Sequence, residues 1–282
     1  MEYSYKIEQT EYSPEKKREY WQTAIGLNKV DGLTPSNYLI SQAEKNINGE
    51  ISNSEVYHNI KTYYESCDGQ HREKECDIVS IRIKELLETE SFKFSPATLI
   101  SIHRYLFQDI YPEIAGKVRN MNITKSESIL GGATVRYASV NEIQDNMTYD
   151  FTQEENYRYR LPLNEKDILH LSKFTSSIWQ THEFWEGNTR TTAVFIEKYL
   201  RSMGIAVNNE PFAYNAEYFR NALVRSNYRD ASKNIMETYV YLERFFSNLL
   251  KGTEYPLDTE QLDTQKYQQQ NVEIKKTDMD FS

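Results

Sequence analysis

Residues 182–190 constrain the fold of this 282-residue chain most strongly, because a short polar loop there separates two helical patterns. The loop reads His-Glu-Phe-Trp-Glu-Gly-Asn-Thr-Arg. Apolar residues recur at helical spacing on both sides of it, namely Ile168, Leu171, Phe174 and Ile178 before it and Ala193, Ile196, Leu200 and Met203 after it. The pattern predicts two helices joined by a turn at Gly187-Asn188. His182 then ends the first helix and Arg190 lies in the first turn of the second, with Asn188 or Thr189 as its N-cap.

The residue types in this loop are those that a phosphate site uses. A helix N-terminus offers free N–H groups to an anion, and Gly187 allows the anion to approach the backbone closely. Arg190 adds a permanent charge. Glu186 is an oxygen ligand suited to Mg²⁺, and His182 can accept a proton near neutral pH. The loop indicates phosphate binding, metal binding and a general base, while a packed histidine beside an ordinary helix connection remains the alternative.

The same stretch resembles the signature of the Fic family (filamentation induced by cAMP), His-x-Phe-x-(Asp/Glu)-Gly-Asn-x-Arg-x-x-Arg. The likeness extends over most of residues 15–250 and includes Gly-Lys-Val-Arg-Asn at 116–120. It implies an all-α Fic-fold helical bundle with one small β-hairpin flap over the active site. It also implies the transfer of AMP from ATP and Mg²⁺ to a Ser, Thr or Tyr hydroxyl of a target protein.

The resemblance implies a role for each matching residue. His182 would deprotonate the target hydroxyl, Glu186 would hold Mg²⁺, and Phe184 would anchor the loop. The phosphates of the nucleotide would be bound by Gly187, Asn188, Thr189 and Arg190. Such chemistry requires mainly positioning and charge stabilisation, which an anion site, a cation and a metal can supply.

The chain departs from the signature at Ala193, where the family has an arginine that meets the γ-phosphate and serves in autoinhibition. Residues 16–52 resemble the small antitoxin-like helical segment that accompanies many Fic domains. Its inhibitory motif, Ser/Thr-x-x-x-Glu-Gly, aligns with Leu27, Asp31 and Gly32. Because both partners of the inhibitory ion pair differ here, we expect a packed N-terminal cap rather than a clamp held by that pair.

Residues 116–140 are the one stretch with β character, and the flap is expected at about 129–137 within it. β-forming residues lie on both sides of a Gly-Gly pair, which predicts a hairpin. In Fic proteins such a flap docks the target by pairing strand backbones. The resemblance therefore implies target docking by Gly131, Gly132, Thr134, Val135 and Tyr137, and a small surface hairpin remains the alternative.

Start signals divide the rest of the chain into helices. Helices are expected after Ser13-Pro14, Ser52, Ser95-Pro96 and Asn164. Loops are expected at 67–75 and 150–160, and a further helix at 232–250. The predicted organisation is an N-terminal helical segment at 1–66, a Fic domain core at 67–252, and a polar tail at 253–282 that is expected to be disordered.

Composition narrows the class of protein. The chain has 33 Lys and Arg against 42 Asp and Glu, for a net charge of −9, which argues against a broad grip on nucleic acid. Cys67 and Cys76 form neither a disulfide framework nor a four-ligand zinc site, and unpaired thiols fit a reducing cytosol. No apolar signal core or membrane-length run is present. We expect a cytoplasmic protein that does not engage a membrane.

These observations predict a protein adenylyltransferase that uses ATP and Mg²⁺. Its 22 tyrosines make self-modification a further expectation. One alternative is a Fic fold that binds a nucleotide or a partner without turnover, which Ala193 motivates. The other is transfer of a different group, such as UMP or phosphocholine. The target protein, the nucleotide preference and a homodimeric state stay open.

Overall fold

The computed structural model describes residues 12–66 and 71–266, and nearly all regular structure there is helical. The helices are α1 (Pro14–Leu27), α2 (Asn37–Ile47), α3 (Asn53–Glu65), α4 (His71–Glu88), α5 (Pro96–Phe107), α6 (Ile143–Asn156), α7 (Glu165–Thr181), α8 (Asn188–Ser202), α9 (Glu210–Ser226) and α10 (Val240–Lys251). Within the described ranges, β pairing is limited to the isolated bridges Ser126–Thr134 and Asp230–Ile235. The all-α prediction is confirmed.

Side-chain caps set the helix starts that the sequence signals predicted. The hydroxyl groups of Ser13, Ser52 and Ser95 each accept a backbone N–H in the first turn of α1, α3 and α5. Asn164 accepts two such bonds at the start of α7 and forms a capping box with Asp167. These predicted starts are confirmed. The sequence could indicate them because a cap depends on two or three neighbouring residues only.

Helix α8 lies at the centre of the molecule. Every residue from Asn188 to Leu200 is buried, so this helix is enclosed on all sides rather than on one face. The main core includes residues of α1 and of α4 to α10 around it. A second cluster joins α1 to α2, α3 and α4 through Trp21, Leu39, Val56 and Ile78. The N-terminal helices are therefore packed onto the core, with α1 shared between both clusters.

Three predictions about local structure are wrong. The loop expected at 67–75 is helical from His71 onward, and residues 67–70, including Cys67, lie outside the described residues. The loop expected at 150–160 is helix α6 as far as Asn156, since Met147 and Phe151 of that helix lie in the core. The helix expected from residue 232 begins only at Val240.

The C-terminal segment does not become disordered at residue 253 as expected. Leu262 is fully buried in the main core. Thr264 is also buried, and its hydroxyl donates a 3.0 Å hydrogen bond to the carbonyl oxygen of Ile129. The segment to residue 266 is therefore part of the folded body, and residues 267–282 lie outside the described part.

None of the helices within the described ranges combines the length and the apolar composition needed to cross a bilayer.

Candidate active site

His182 terminates α7, as the spacing predicted. It is the C-cap residue and adopts a left-handed conformation (φ 49°), which is uncommon for a residue other than glycine. Its ring packs 4.0 Å from the ring of Tyr137, and its Nδ1 lies 3.3 Å from the carbonyl oxygen of Trp179. A proton on Nδ1 can be donated to that oxygen, which leaves Nε2 as the acceptor.

The surroundings of His182 favour its neutral form. Burial is the main cause, and the positive charges of Lys125, Arg119 and Arg220 add to it, so that the pKa of His182 falls to about 3. The imidazole is therefore unprotonated at neutral pH. That is the form that a general base requires.

Arg119 fixes the backbone on both sides of His182, and it was missing from the residues predicted for the site. Its side chain is almost fully buried and donates from Nε to the carbonyl oxygen of His182 (2.7 Å) and from Nη1 to that of Met121 (2.8 Å). Its backbone N–H donates to the carbonyl oxygen of Glu183. The only signal for it in the sequence was the Gly-Lys-Val-Arg-Asn likeness at 116–120.

Asn188 braces the loop between the two helices. Its Oδ1 accepts from the backbone N–H of Phe184 (3.0 Å), and its Nδ2 donates to the carbonyl oxygen of Phe184 (2.8 Å). Gly187, not Asn188 or Thr189, is the N-cap of α8, which corrects the prediction. A Cβ on Gly187 would lie 2.3 Å from the ring of Phe107, and its φ is +74°, so both space and conformation require glycine.

The buried residue His103, on α5, supports this loop through hydrogen bonds and ring stacking. Nδ1 of His103 accepts from the backbone N–H of Gly116 (2.8 Å), so Nε2 carries the proton and donates to the carbonyl oxygen of Glu186 (3.0 Å). The ring stacks on Phe184 at 3.8 Å. His103 is thus structural, and Phe184 is an anchor inside the core.

Arg190 is completely buried and already paired. Its Nη2 lies 2.8 Å from Oε1 of Glu75, its Nη1 lies 3.0 Å from Oδ1 of Asn28, and its Nε lies 2.9 Å from Oδ2 of Asp31. The Nε–H is not aimed at the Asp31 oxygen, so that contact is ionic rather than a hydrogen bond. Its guanidinium also lies over the ring of Phe107.

The N-terminal segment therefore does contact the signature loop through a carboxylate. The pairing uses Arg190 rather than position 193, where Ala193 is fully buried in the core. Leu27 is a core residue, and Gly32 ends the 3-10 turn Asn28–Asp31 in a left-handed conformation, as expected of a packed cap with a glycine stop. Sequence reasoning missed the contact because it considered only the last arginine of the signature.

A cavity of about 380 Å³ opens beside the loop. Its lining is mostly charged and comprises Val30, Asp31, Leu33, Arg72, Glu75, Tyr111, Lys125, Glu186 and Arg220. Among the residues that the structure describes, the Glu186 carboxylate accepts a hydrogen bond only from the neighbouring N–H of Gly187, at 3.2 Å, so it keeps oxygen atoms for a cation. Within the described residues no group of three or more His, Cys, Asp or Glu side chains could hold a metal. One carboxylate is enough only where phosphate oxygens and water complete the Mg²⁺ shell, and Glu186 fits that arrangement.

The predicted flap is a single turn closed by the Ser126–Thr134 bridge. Gly131 (φ 65°) and Gly132 (φ 89°) form its tip, as the Gly-Gly pair predicted. Two of the residues expected to dock a target are turned inward instead, since Val135 is 1% exposed and Tyr137 is 8% exposed and packs on His182. Both side chains therefore face the core rather than a target, because residues two positions apart in an extended segment lie on the same side.

A buried ion pair connects the turn to α9. Glu127 is 1% exposed and lies 2.7 Å from Nη2 of Arg220. Tyr137 donates a long hydrogen bond of 3.4 Å to the same carboxylate. Arg220 therefore reaches the cavity with its charge already balanced, and sequence reasoning gave no sign of it because the two partners are 93 positions apart.

Comparison with known proteins agrees with this geometry. Residues 93–200 match the Fic/DOC family, and this segment runs from just before α5 through the first thirteen residues of α8, with His182, Glu186 and Arg190 inside it. A search of curated proteins gives no significant match. The likeness of the regions outside 93–200 to Fic proteins stays a prediction. Fic domains are generally transferases that place nucleotide groups on proteins, and this chain carries a Fic/DOC family domain at residues 93–200.

Proposed function

We propose that this chain is a protein adenylyltransferase that transfers AMP from ATP to a Ser, Thr or Tyr hydroxyl of a target protein. The observation that carries the proposal is that one braced loop holds both a buried, neutral His182 and, four residues later, a Glu186 carboxylate that is available to a cation. Glu186 lines the charged cavity, and His182 lies four residues before it in the same loop. A base and a cation-binding carboxylate in one loop are what nucleotidyl transfer requires.

The loop geometry supplies the positioning. In the proposed complex, the N-terminus of α8 would offer backbone N–H groups and the positive end of its dipole to the phosphate oxygens. Glu186 would hold Mg²⁺, and the ion, when bound, would neutralise negative charge on the phosphates. Asn188 and Phe184 lock the loop, so little reorganisation is needed when the nucleotide binds.

The proposed step is an in-line displacement. The target hydroxyl oxygen attacks the α-phosphorus and forms a new P–O bond, while the bond from that phosphorus to the bridging oxygen of the β-phosphate breaks. Pyrophosphate leaves with the electron pair. The hydroxyl proton passes to Nε2 of His182, whose Nδ1–H is directed to the Trp179 carbonyl oxygen.

The test uses ATP labelled at the α-phosphate, with Mg²⁺, the protein and a cell lysate. We expect labelled protein with the wild type and at least about 100-fold less with His182→Ala, the usual contribution of a general base. His58→Ala, an exposed histidine on α3, is the control and should label normally. Equal labelling by His182→Ala would remove this histidine from the mechanism. Omitting the lysate tests self-modification.

A second candidate is nucleotide binding without turnover. The observation in its favour is that Arg190, one of the expected phosphate ligands, is held by Asp31 and Glu75. Binding of ATP without any label from ATP or UTP would support this reading. Label from UTP but not from ATP would instead show transfer of UMP.

A further inference from the structure

The positive charge of Arg190 is already compensated by protein carboxylates, so it is poorly placed to attract a nucleotide. It is 0% exposed, and both carboxylates that contact it, Asp31 and Glu75, also line the cavity. Moving the guanidinium toward a phosphate would leave those carboxylates unpaired beside an incoming anion, which is unfavourable for a mostly buried pair. A nucleotide in this cavity therefore needs positive charge from another residue.

The other cations of the cavity differ in their partners. Arg220 is paired with the buried Glu127, and Arg72 donates to the carbonyl oxygens of Asp31 and Gly32. Lys125 is exposed and, within residues 12–66 and 71–266, its ammonium group forms no ion pair or side-chain hydrogen bond with the protein. Lys125 is thus the cavity-lining cation with the most capacity for a ligand.

The position of Lys125 suits contact with a phosphate chain. Its backbone N–H donates to Oγ1 of Thr134, at the bridge that closes the turn, so the root of the side chain is fixed. It lines the same cavity as Glu186. Its charge also lowers the pKa of His182, second only to burial.

We propose that Lys125 binds a phosphate oxygen of the nucleotide and takes over the charge that Arg190 and the missing arginine at position 193 do not supply. The inference rests on the proposed function, because it assumes that a nucleoside triphosphate occupies this cavity. A lysine binds phosphate as a mobile point charge, so it can follow the phosphates without a fixed fork.

The test is the binding of ATP with Mg²⁺ to the full chain, measured by calorimetry. We expect Lys125→Ala to raise the dissociation constant at least about tenfold, as for loss of a charge-assisted hydrogen bond. Lys125→Arg should stay within a few-fold of the wild type. Lys61→Ala removes the same charge from an exposed site on α3 outside the cavity and should bind as the wild type does. Thermal unfolding of each variant verifies folding.

The outcomes separate this inference from the proposed function. Equal affinity of Lys125→Ala and the wild type overturns the role of Lys125 and leaves AMP transfer standing. An equal loss in Lys61→Ala also overturns it, because the effect is then one of net charge. Absence of ATP binding by the wild type overturns both proposals. Inorganic tripolyphosphate as competitor adds a check, since it should lose affinity in Lys125→Ala if the contact is to phosphate.

Discussion

Two buried charged residues of the signature loop have opposite surroundings. Arg190 has Asn28, Asp31 and Glu75 around its guanidinium. Glu183 is 3% exposed, and in the described part of the chain its Oε1 has no hydrogen-bond partner. Burial raises the pKa of Glu183 to about 8. The arginine is held as an ion by its neighbours, whereas the glutamate takes up a proton because burial disfavours its charged form.

The first prediction concerns Arg190. Replacing it by Gln leaves Glu75 and Asp31 without their counter-charge in a mostly buried place, so the free energy of unfolding should fall by about 3 kcal/mol or more. Urea denaturation measures the loss. Arg18→Gln, at an exposed ion pair with Glu44, is the matched control and should leave stability nearly unchanged. Similar effects of the two substitutions would contradict a structural role for Arg190.

The second prediction concerns the pH dependence set by Glu183. The folded protein keeps this proton up to about pH 8, whereas an unfolded glutamate loses it near pH 4.3. The unfolded state therefore binds fewer protons between these values, and stability falls as the pH rises through that window, by up to about 1.4 kcal/mol per pH unit. Glu183→Gln lacks this loss, so it should gain stability relative to the wild type between pH 5 and pH 8.

Urea unfolding of both proteins at several pH values provides the measurement. The depressed pKa of His182 acts in the opposite direction, because stability is lost as the pH falls from about 6.5 toward 3. Both proteins carry that histidine, so its contribution cancels in the difference between them. Parallel stability curves for wild type and Glu183→Gln would show that Glu183 is not protonated in the fold.

At the scale of elements, contacts from several parts of the chain hold the connection from α7 through the loop to α8. Thr189 accepts a 2.9 Å hydrogen bond from Nε1 of Trp179, which ties the start of α8 to the end of α7. Helix α1 carries the N-terminal contribution, since its continuation places Asn28 and Asp31 on Arg190. Helix α1 packs against α9, so the fit between these two helices affects where Asn28 and Asp31 lie at the site.

The third prediction tests the contact between α1 and α9. A Cβ on Gly26 would lie 2.2 Å from the carbonyl oxygen of Ala213, a backbone atom that cannot move aside alone. Gly26→Ala should thus destabilise the protein by about 1–3 kcal/mol, although alanine normally favours a helix. Thermal unfolding measures this, with Gln22→Ala on the exposed face of α1 as control. A stabilised Gly26→Ala variant would mean that the two helices are farther apart.

At the scale of the whole molecule, both ends of the described chain pack on the same body. Tyr20 and Ala24 of α1 lie in the main core together with Leu262 near the C-terminal end. The side chain of Gln265 also lies where a Cβ on Gly131 would fall, so this segment covers the turn beside the site. The predicted division into segment, core and tail therefore does not separate independent packing units.

The fourth prediction follows from that packing. Leu262→Ala removes a fully buried side chain and should cost about 2–5 kcal/mol if residues 253–266 belong to the folded body. Chemical denaturation gives the value, and Leu161→Ala, at a leucine that is 66% exposed, is the control. Equal stability of the Leu262→Ala variant and the wild type would mean that the segment is detached in solution.

The sequence by itself determined the features that depend on neighbouring residues. Helix starts at Ser13, Ser52, Ser95 and Asn164, the position of His182 at a helix end, and the Gly131-Gly132 turn all follow from local spacing and capping. The family resemblance, confirmed at residues 93–200, rests on the same kind of signal, a short run in fixed order.

Only the tertiary structure decided which distant groups meet. The partners of Arg190 come from the turn after α1 and from α4, up to 162 positions away, and those of Glu127 from α9. Arg119 and the inward-facing Tyr137 became part of the site because the chain between α5 and α6 folds against His182. Charges and burial depend on packing in three dimensions, which the periodicity of a chain does not encode, so the electrostatics of the loop could not be read from its residues alone.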